Sequence, residues 1–197
     1  MLHLPATFII FDLEFTDVEI ATASRTMPEI IEIGAIKVNQ RLEVKDSFQS
    51  LIRPSRLDTY SDYCERLTGI SRDILEAADP FEKVWRYFAE FTDFRKWQIC
   101  SWGTEVDVAL LKQHYVTRGL AYPHHKVPLD AVSFYWAYCS IVGLRPVGWS
   151  LKAVCNQFSI ERSDTHRALG DSKLVLKLFS KWDDSSEDMA LYDLAEV

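Results

Sequence analysis

The chain has 197 residues, 48% of them apolar and 26% charged, with a formal net charge of −7. This is ordinary composition for one folded domain with a substantial core, and the negative charge argues against a protein that grips long duplexes by neutralising phosphates. Its four cysteines (Cys64, Cys100, Cys139, Cys155) are scattered and form no C-x-x-C pair, which disfavours thiolate-metal and disulfide frameworks.

No apolar run approaches the ~20 residues that span a membrane. The N-terminus also lacks the basic-then-apolar layout of a secretory leader. A cytoplasmic protein with no membrane contact is therefore expected.

In chain order, Phe8-Ile9-Ile10-Phe11 reads as a buried strand and runs straight into Asp12-Leu13-Glu14, giving a first strand over 7–14. Strand side chains alternate, so Asp12 and Glu14 project from one face. At ~5 Å and an effective dielectric of ~20, two such carboxylates repel by about 3 kcal/mol. A fold carries that cost most readily with a divalent cation between them.

Residues 29–39 and 43–52 read as the second and third strands, joined by a turn at Asn39-Gln40-Arg41. Helical signals over 60–78 break at Thr68-Gly69-Ile70. A helix is expected from Pro80, suited to a first turn, to about Phe94, with Phe81, Val84, Trp85, Phe88 and Phe91 as a core-facing stripe. Trp97 to Ser101 is a short strand that hands over at Gly103 to a helix ending near Arg118. Val127-Pro128-Leu129-Asp130 reads as an edge strand, because Pro is poorly tolerated centrally. Helices near 131–142, stopped by Gly143, 150–158 and 166–182 complete a single domain over 1–182. The acidic stretch 183–197 follows as a tail, in which 189–194 is a candidate short helix.

Further acids join the first pair. Asp107 lies between Ser101-Trp102-Gly103 and the apolar Val108-Ala109-Leu110-Leu111, and Asp171 closes His166-Arg167-Ala168-Leu169-Gly170-Asp171. The order Asp, Glu, Asp, His, Asp, carried by D-x-E-x-T at Asp12, Glu14 and Thr16 and by H-x-A-x-x-D from His166, resembles the DEDDh 3′→5′ exonucleases. That superfamily includes the proofreading subunit of bacterial replicative polymerase, ribonuclease T and oligoribonuclease. The resemblance covers about residues 7–182. Glu32-Ile33-Gly34-Ala35, Phe48 to Pro54 and Cys64 to Ile70 make it most similar to the branch of histone-mRNA and small-RNA 3′-end exonucleases and their bacterial relatives.

The resemblance implies an α/β fold of the ribonuclease H-like kind, a mixed five-stranded sheet flanked by helices. It implies hydrolysis of single-stranded RNA or DNA from its 3′ end, RNA favoured, to nucleoside 5′-monophosphates. Two Mg²⁺ or Mn²⁺ would be held by Asp12, Glu14, Asp107 and Asp171, with Asp12 bridging. All-oxygen ligands suit those ions rather than zinc. His166 would be the general base, since imidazole titrates near neutrality, on a segment capped by Ser163 or Asp164. In this branch two residues commonly intervene between Trp-Gly and the third acid. Here three intervene, which makes Glu105 a rival, but Asp107 directly precedes the apolar helix face.

Phe15, Leu67, Thr68, Ile70 and Trp102 are the candidate contacts to the terminal nucleotide. Phe15 and Trp102 also read as core residues. The loop from Phe15 to Pro28 is long enough to cover a groove. His124-His125 reads as an exposed loop pair, and Arg145 and Lys152 as surface cations within reach of phosphate. Other functions stay open: an enzyme limited to very short RNAs, a proofreading subunit working in a polymerase assembly, or a catalytically silent nucleic-acid-binding module.

Overall fold

A computed structural model describes all residues except 1–3, 18, 20–26, 94–95, 121, 124–125, 163–165 and 190–197, and gives only the backbone of 184–189. The His124-His125 pair, the Ser163 and Asp164 caps, Phe94, most of the 15–28 loop and the end of the acidic tail therefore lie outside the described residues.

Three antiparallel strands open the chain: β1 (Thr7–Phe15), β2 (Ile30–Asn39) and β3 (Val44–Arg53). A short 3₁₀ turn at Leu57–Thr59 leads to helices α1 (Asp62–Thr68) and α2 (Arg72–Glu76), separated by the left-handed Gly69. Then follow β4 (Asp79–Pro80), α3 (Phe81–Thr92), β5 (Gln98–Ser101), α4 (Asp107–Thr117), β6 (Leu129–Asp130), α5 (Ala131–Val142), α6 (Leu151–Gln157) and α7 (Ala168–Met189).

The sheet is ordered β4-β3-β2-β1-β5-β6, with β5 parallel to β1 and β6 parallel to β5. It is mixed, as expected, but has six strands rather than five. The extra strand is the two-residue β4, paired with Ile52 and Arg53. Its Pro80 caps α3 from one residue outside the helix instead of sitting in its first turn.

Alternation along β1 builds two cores. Ile9, Phe11 and Leu13 pack with Phe81, Val84, Trp85, Phe88, Leu111 and Tyr115 of α3 and α4, so the aromatic stripe of α3 is core. Phe8 and Ile10 point the other way, into Tyr135, Cys139, Val154, Leu178, Phe179 and Trp182 of α5, α6 and α7. The sheet is thus covered on both faces, and a run as apolar as β1 is stable only in that setting. Asp12 and Glu14 continue the Phe8–Ile10 face just where α7 begins.

Gly143 ends α5 in the left-handed conformation, at φ 70°. All four cysteines are buried and unbridged. Among the described residues no helix is long and apolar enough to cross a membrane. Helix α7 runs on to Met189, so the first residues of the acidic stretch extend that helix.

Candidate active site

Asp12 and Glu14 stand opposite Gly34 and Glu32 on β2, two residues apart on one face. A register shift follows between Glu14 and Phe15. Past it the chain is latched sideways: Thr16 N–H donates to Glu29 O (2.9 Å), Asp17 N–H to Thr59 O (3.0 Å), and Ser61 Oγ to Asp17 Oδ2 (3.0 Å). Ser61 is also the N-cap of α1, accepting from Cys64 N–H. These bonds swing α1 over the end of β1.

The third acid comes from the far side of β1. Asp107 is the first residue of α4 and is buried, whereas Glu105 is exposed, so Glu105 is not part of the cluster. Asp130, the N-cap of α5, also accepts from Thr104 N–H at 3.0 Å and fixes the loop that delivers Asp107. Asp171 sits in the first turn of α7, whose Ser172 hydroxyl donates to Gly34 O at 3.0 Å.

His166 lies just before that helix, its N–H bonded to Leu67 O at 2.8 Å. Its Nδ1 is 3.5 Å from Asp171 Oδ2, and one ligand atom each of Glu14, His166 and Asp171 lie within 4.8 Å of one another. Arg162 closes the other side, with a guanidinium nitrogen 3.3 Å from His166 Nε2 and 3.9 Å from Asp171 Oδ1. A guanidinium only donates, so the Nε2 that faces it carries the lone pair.

The carboxylates are strained electrostatically. Burial, then the charges of Asp107, Glu14 and Asp171, hold Asp12 well above the usual carboxylate range. Burial and Asp171 push Glu14 up to about 8. Burial takes Asp107 to about 8, and Asp171 adds to the rise. Ser101 Oγ, buried and without a hydrogen bond of good geometry, lies near enough to offset part of it.

An all-oxygen cluster this short of positive charge fits hard divalent cations. Raised folded-state values mean that protonated Glu14 and Asp107 stabilise the fold fully below their ordinary pKa values of 4.5 and 3.8. That contribution fades as pH climbs through about 8. Thermal melts in chelator should therefore show Tm falling as pH rises across that window. Mg²⁺ should raise Tm most at the alkaline end, and a flat profile with no Mg²⁺ effect would contradict the assignment.

The cluster opens into a cavity of ≈ 650 Å³ lined by Asp12, Glu14, His166 and Asp171 together with Phe15, Thr16, Tyr63, Cys64, Leu67 and Thr68. Phe15, Leu67 and Thr68 are therefore brought to the acids as expected. Ile70 and Trp102 do not line the cavity. Ile70 is buried among Ile31, Tyr60, Cys64 and Leu75, because the turn after Gly69 folds inward. Trp102 packs on the α5 side near Tyr135 and donates its indole N–H to Trp149 O at 2.7 Å.

Three residues at the site escaped the sequence reading. Tyr63 lies one helical turn before Leu67 on the same face of α1, an i, i+4 relation that was visible. Arg162 carried no signal. Glu32 was read only as part of a strand, though a Glu within Ile30-Ile31-Glu32-Ile33 is conspicuous. It is fully buried and accepts from Arg167 (2.7 Å), Ala168 N–H (3.0 Å) and Gln49 (2.8 Å). It thereby pins the start of α7 between His166 and Asp171.

Comparison with known proteins bears on this geometry. The family model described as “RNase_T: Exonuclease” matches residues 9–179. The chain is similar to the PolC-type DNA polymerase III of Caldanaerobacter subterraneus subsp. tengcongensis, 24% identical over 194 residues that make up 98% of this chain and 13% of that protein. It thus spans only a small part of that polymerase. It is also similar to 3′-5′ exoribonuclease 1 of Homo sapiens, 42% identical over 57 residues, 28% of this chain and 16% of that one. Among solved structures, the nuclease domain of 3′hExo, a DEDDh family member bound to rAMP, superposes with a TM-score of 0.77. It shares 22% identity and covers 94% of this chain and 95% of its own.

Proposed function

The chain belongs to the exonuclease family, whose DEDDh members are metal-dependent 3′→5′ exonucleases, and from that premise we propose that it shortens single-stranded nucleic acid from the 3′ end, RNA ahead of DNA, releasing nucleoside 5′-monophosphates. The observation that carries the reading is the meeting of Asp12, Glu14, Asp171 and His166 in one cavity that Phe15, Tyr63 and Leu67 also line.

Asp12, Glu14, Asp107 and Asp171 would hold two divalent cations. Such ions, when bound, favour deprotonation of the attacking water and stabilise the leaving oxygen. His166 takes the water's proton at Nε2, the nitrogen whose lone pair faces Arg162. For that, Arg162 must turn from the imidazole, and a phosphate oxygen of the substrate is the natural partner for its guanidinium. Glu32 acts only by position, holding Arg167 and Ala168 so that His166 and Asp171 keep their spacing.

Phe15 and Leu67, with Tyr63, offer apolar surface to the last base. An unpaired base exposes its faces to such a wall, whereas a base inside a duplex does not. The RNA preference draws on the similarity to an exoribonuclease. A proofreading role on DNA is favoured by a different observation, the match of 98% of the chain to part of a DNA polymerase. Parallel digestion of RNA and DNA of equal sequence separates the two. The faster ladder names the substrate, and a faster DNA ladder would overturn the RNA preference.

A further inference from the structure

The stretch between α5 and α6 is unlike the rest of the molecule. In a chain of net charge −7, no carboxylate occurs between Asp130 and Glu161, while Arg145 and Lys152 do; both are exposed. Val147 and Trp149 are exposed between them, Trp149 at 79%, and Leu144 is exposed just before Arg145.

The backbone beneath these side chains is fixed. Gln157 Nε2 donates to Arg145 O (3.0 Å), Val147 N–H donates to Tyr135 Oη (2.8 Å), and Trp102 Nε1 donates to Trp149 O (2.7 Å). Tyr135 in turn donates to Gln157 Oε1 at 2.6 Å, which joins the first two supports. Every second residue is thus held from below, and Trp149 stands in water on a braced support.

That support is continuous with the active site. Trp102 directly follows Ser101, the residue beside Asp107, so one indole links the third acid to the Trp149 backbone. An exposed aromatic ring with a cation on each side of it in the sequence, in a stretch (131–160) that contains no acid, is complementary to stacked bases and phosphates.

Building on the exonuclease reading, we propose that residues 144–152 bind single-stranded nucleic acid upstream of the scissile bond, with Trp149 stacking on a base and Arg145 and Lys152 meeting phosphates. The apolar side chains alone would also suit a protein partner. The two cations, the lack of any acid in residues 131–160 and the link to Asp107 favour the nucleic acid.

The test uses a fluorescently labelled single-stranded dodecamer, with affinity read by anisotropy in chelator so that the probe survives. In parallel, kcat/KM is compared for unlabelled dodecamer and dinucleotide in Mg²⁺. Trp149→Ala should weaken dodecamer binding about tenfold and lower the dodecamer-to-dinucleotide selectivity by a similar factor, as expected for loss of one stacked base. Trp149→Phe should restore most of both.

Unchanged affinity and unchanged selectivity in Trp149→Ala would overturn the inference and assign the surface to a protein partner. A wild-type chain that binds the dodecamer but cleaves neither substrate would count against the exonuclease reading. The anisotropy comparison would still decide the role of Trp149.

Discussion

Replacing His166 with alanine is expected to lower turnover on the order of 10²-fold or more while leaving divalent-cation binding largely intact. The two effects separate because the carboxylates come from β1, α4 and α7, and none of them depends on the imidazole for its place. Asp12 and Glu14 are fixed by their pairing with β2, and Asp107 by the loop that Asp130 anchors. Asp171 is fixed by the helix start that Glu32 and Gly34 hold. His166 is instead half-exposed at the cavity edge, tethered through its backbone to Leu67. Single-turnover rates beside the Mg²⁺-induced rise in Tm read the two properties independently. Near-wild-type turnover in His166→Ala would remove this residue from the mechanism. Loss of the Mg²⁺ response would make it a metal ligand instead.

Gly34→Ala is expected to cost ~3 kcal/mol of stability and most of the activity. Gly34 has no unusual backbone angle to protect; what it lacks is room. A methyl group there would stand 1.9 Å from Leu169 N and 2.2 Å from Ala168 C. Both are backbone atoms of the helix start, which cannot rotate aside as a side chain would. The strain is relieved only if α7 lifts from the sheet, and α7 carries Asp171 while His166 lies just ahead of it. For a chain of this size the loss corresponds to a fall in Tm of about 9 °C. A shift of ~1 Å at the reacting groups costs about 10²-fold in rate. A Gly34→Ala protein with unchanged Tm and rate would show that the helix does not bear on β2 as closely as described.

The parts of the site that rest on local periodicity were legible in the sequence. A strand has period two, so the apolar Phe8 and Ile10 fix the face of Asp12 and Glu14 without any knowledge of the fold. Asp107 was separable from Glu105 because an apolar helix face follows it at once, and the structure buries Asp107 while leaving Glu105 in solvent. Helix ends with a strong local cause, such as Gly143, fell where expected.

What escaped depends on contacts between distant segments. Glu32 acquires its meaning from Arg167, 135 residues later. The two-residue β4 has no pattern of its own and exists only as a neighbour of β3. Ile70 belongs to a motif that approaches the site but turns its side chain into the core, and Trp102 turns toward Trp149. Of the stretch 144–152 only Arg145 and Lys152 stood out in the sequence, as surface cations, and only the hydrogen bonds under it distinguish a braced surface from an ordinary loop.

The most direct measurement is a denaturing-gel time course on 5′-labelled single-stranded RNA and DNA of equal sequence. Wild type would run beside Asp12→Ala, each with Mg²⁺, with Mn²⁺ and with chelator. The account predicts a ladder that shortens from the 3′ end, faster on RNA, and that disappears with chelator and with Asp12→Ala. Cleavage that persists in chelator or in Asp12→Ala, or no cleavage of either strand with either metal, would contradict it.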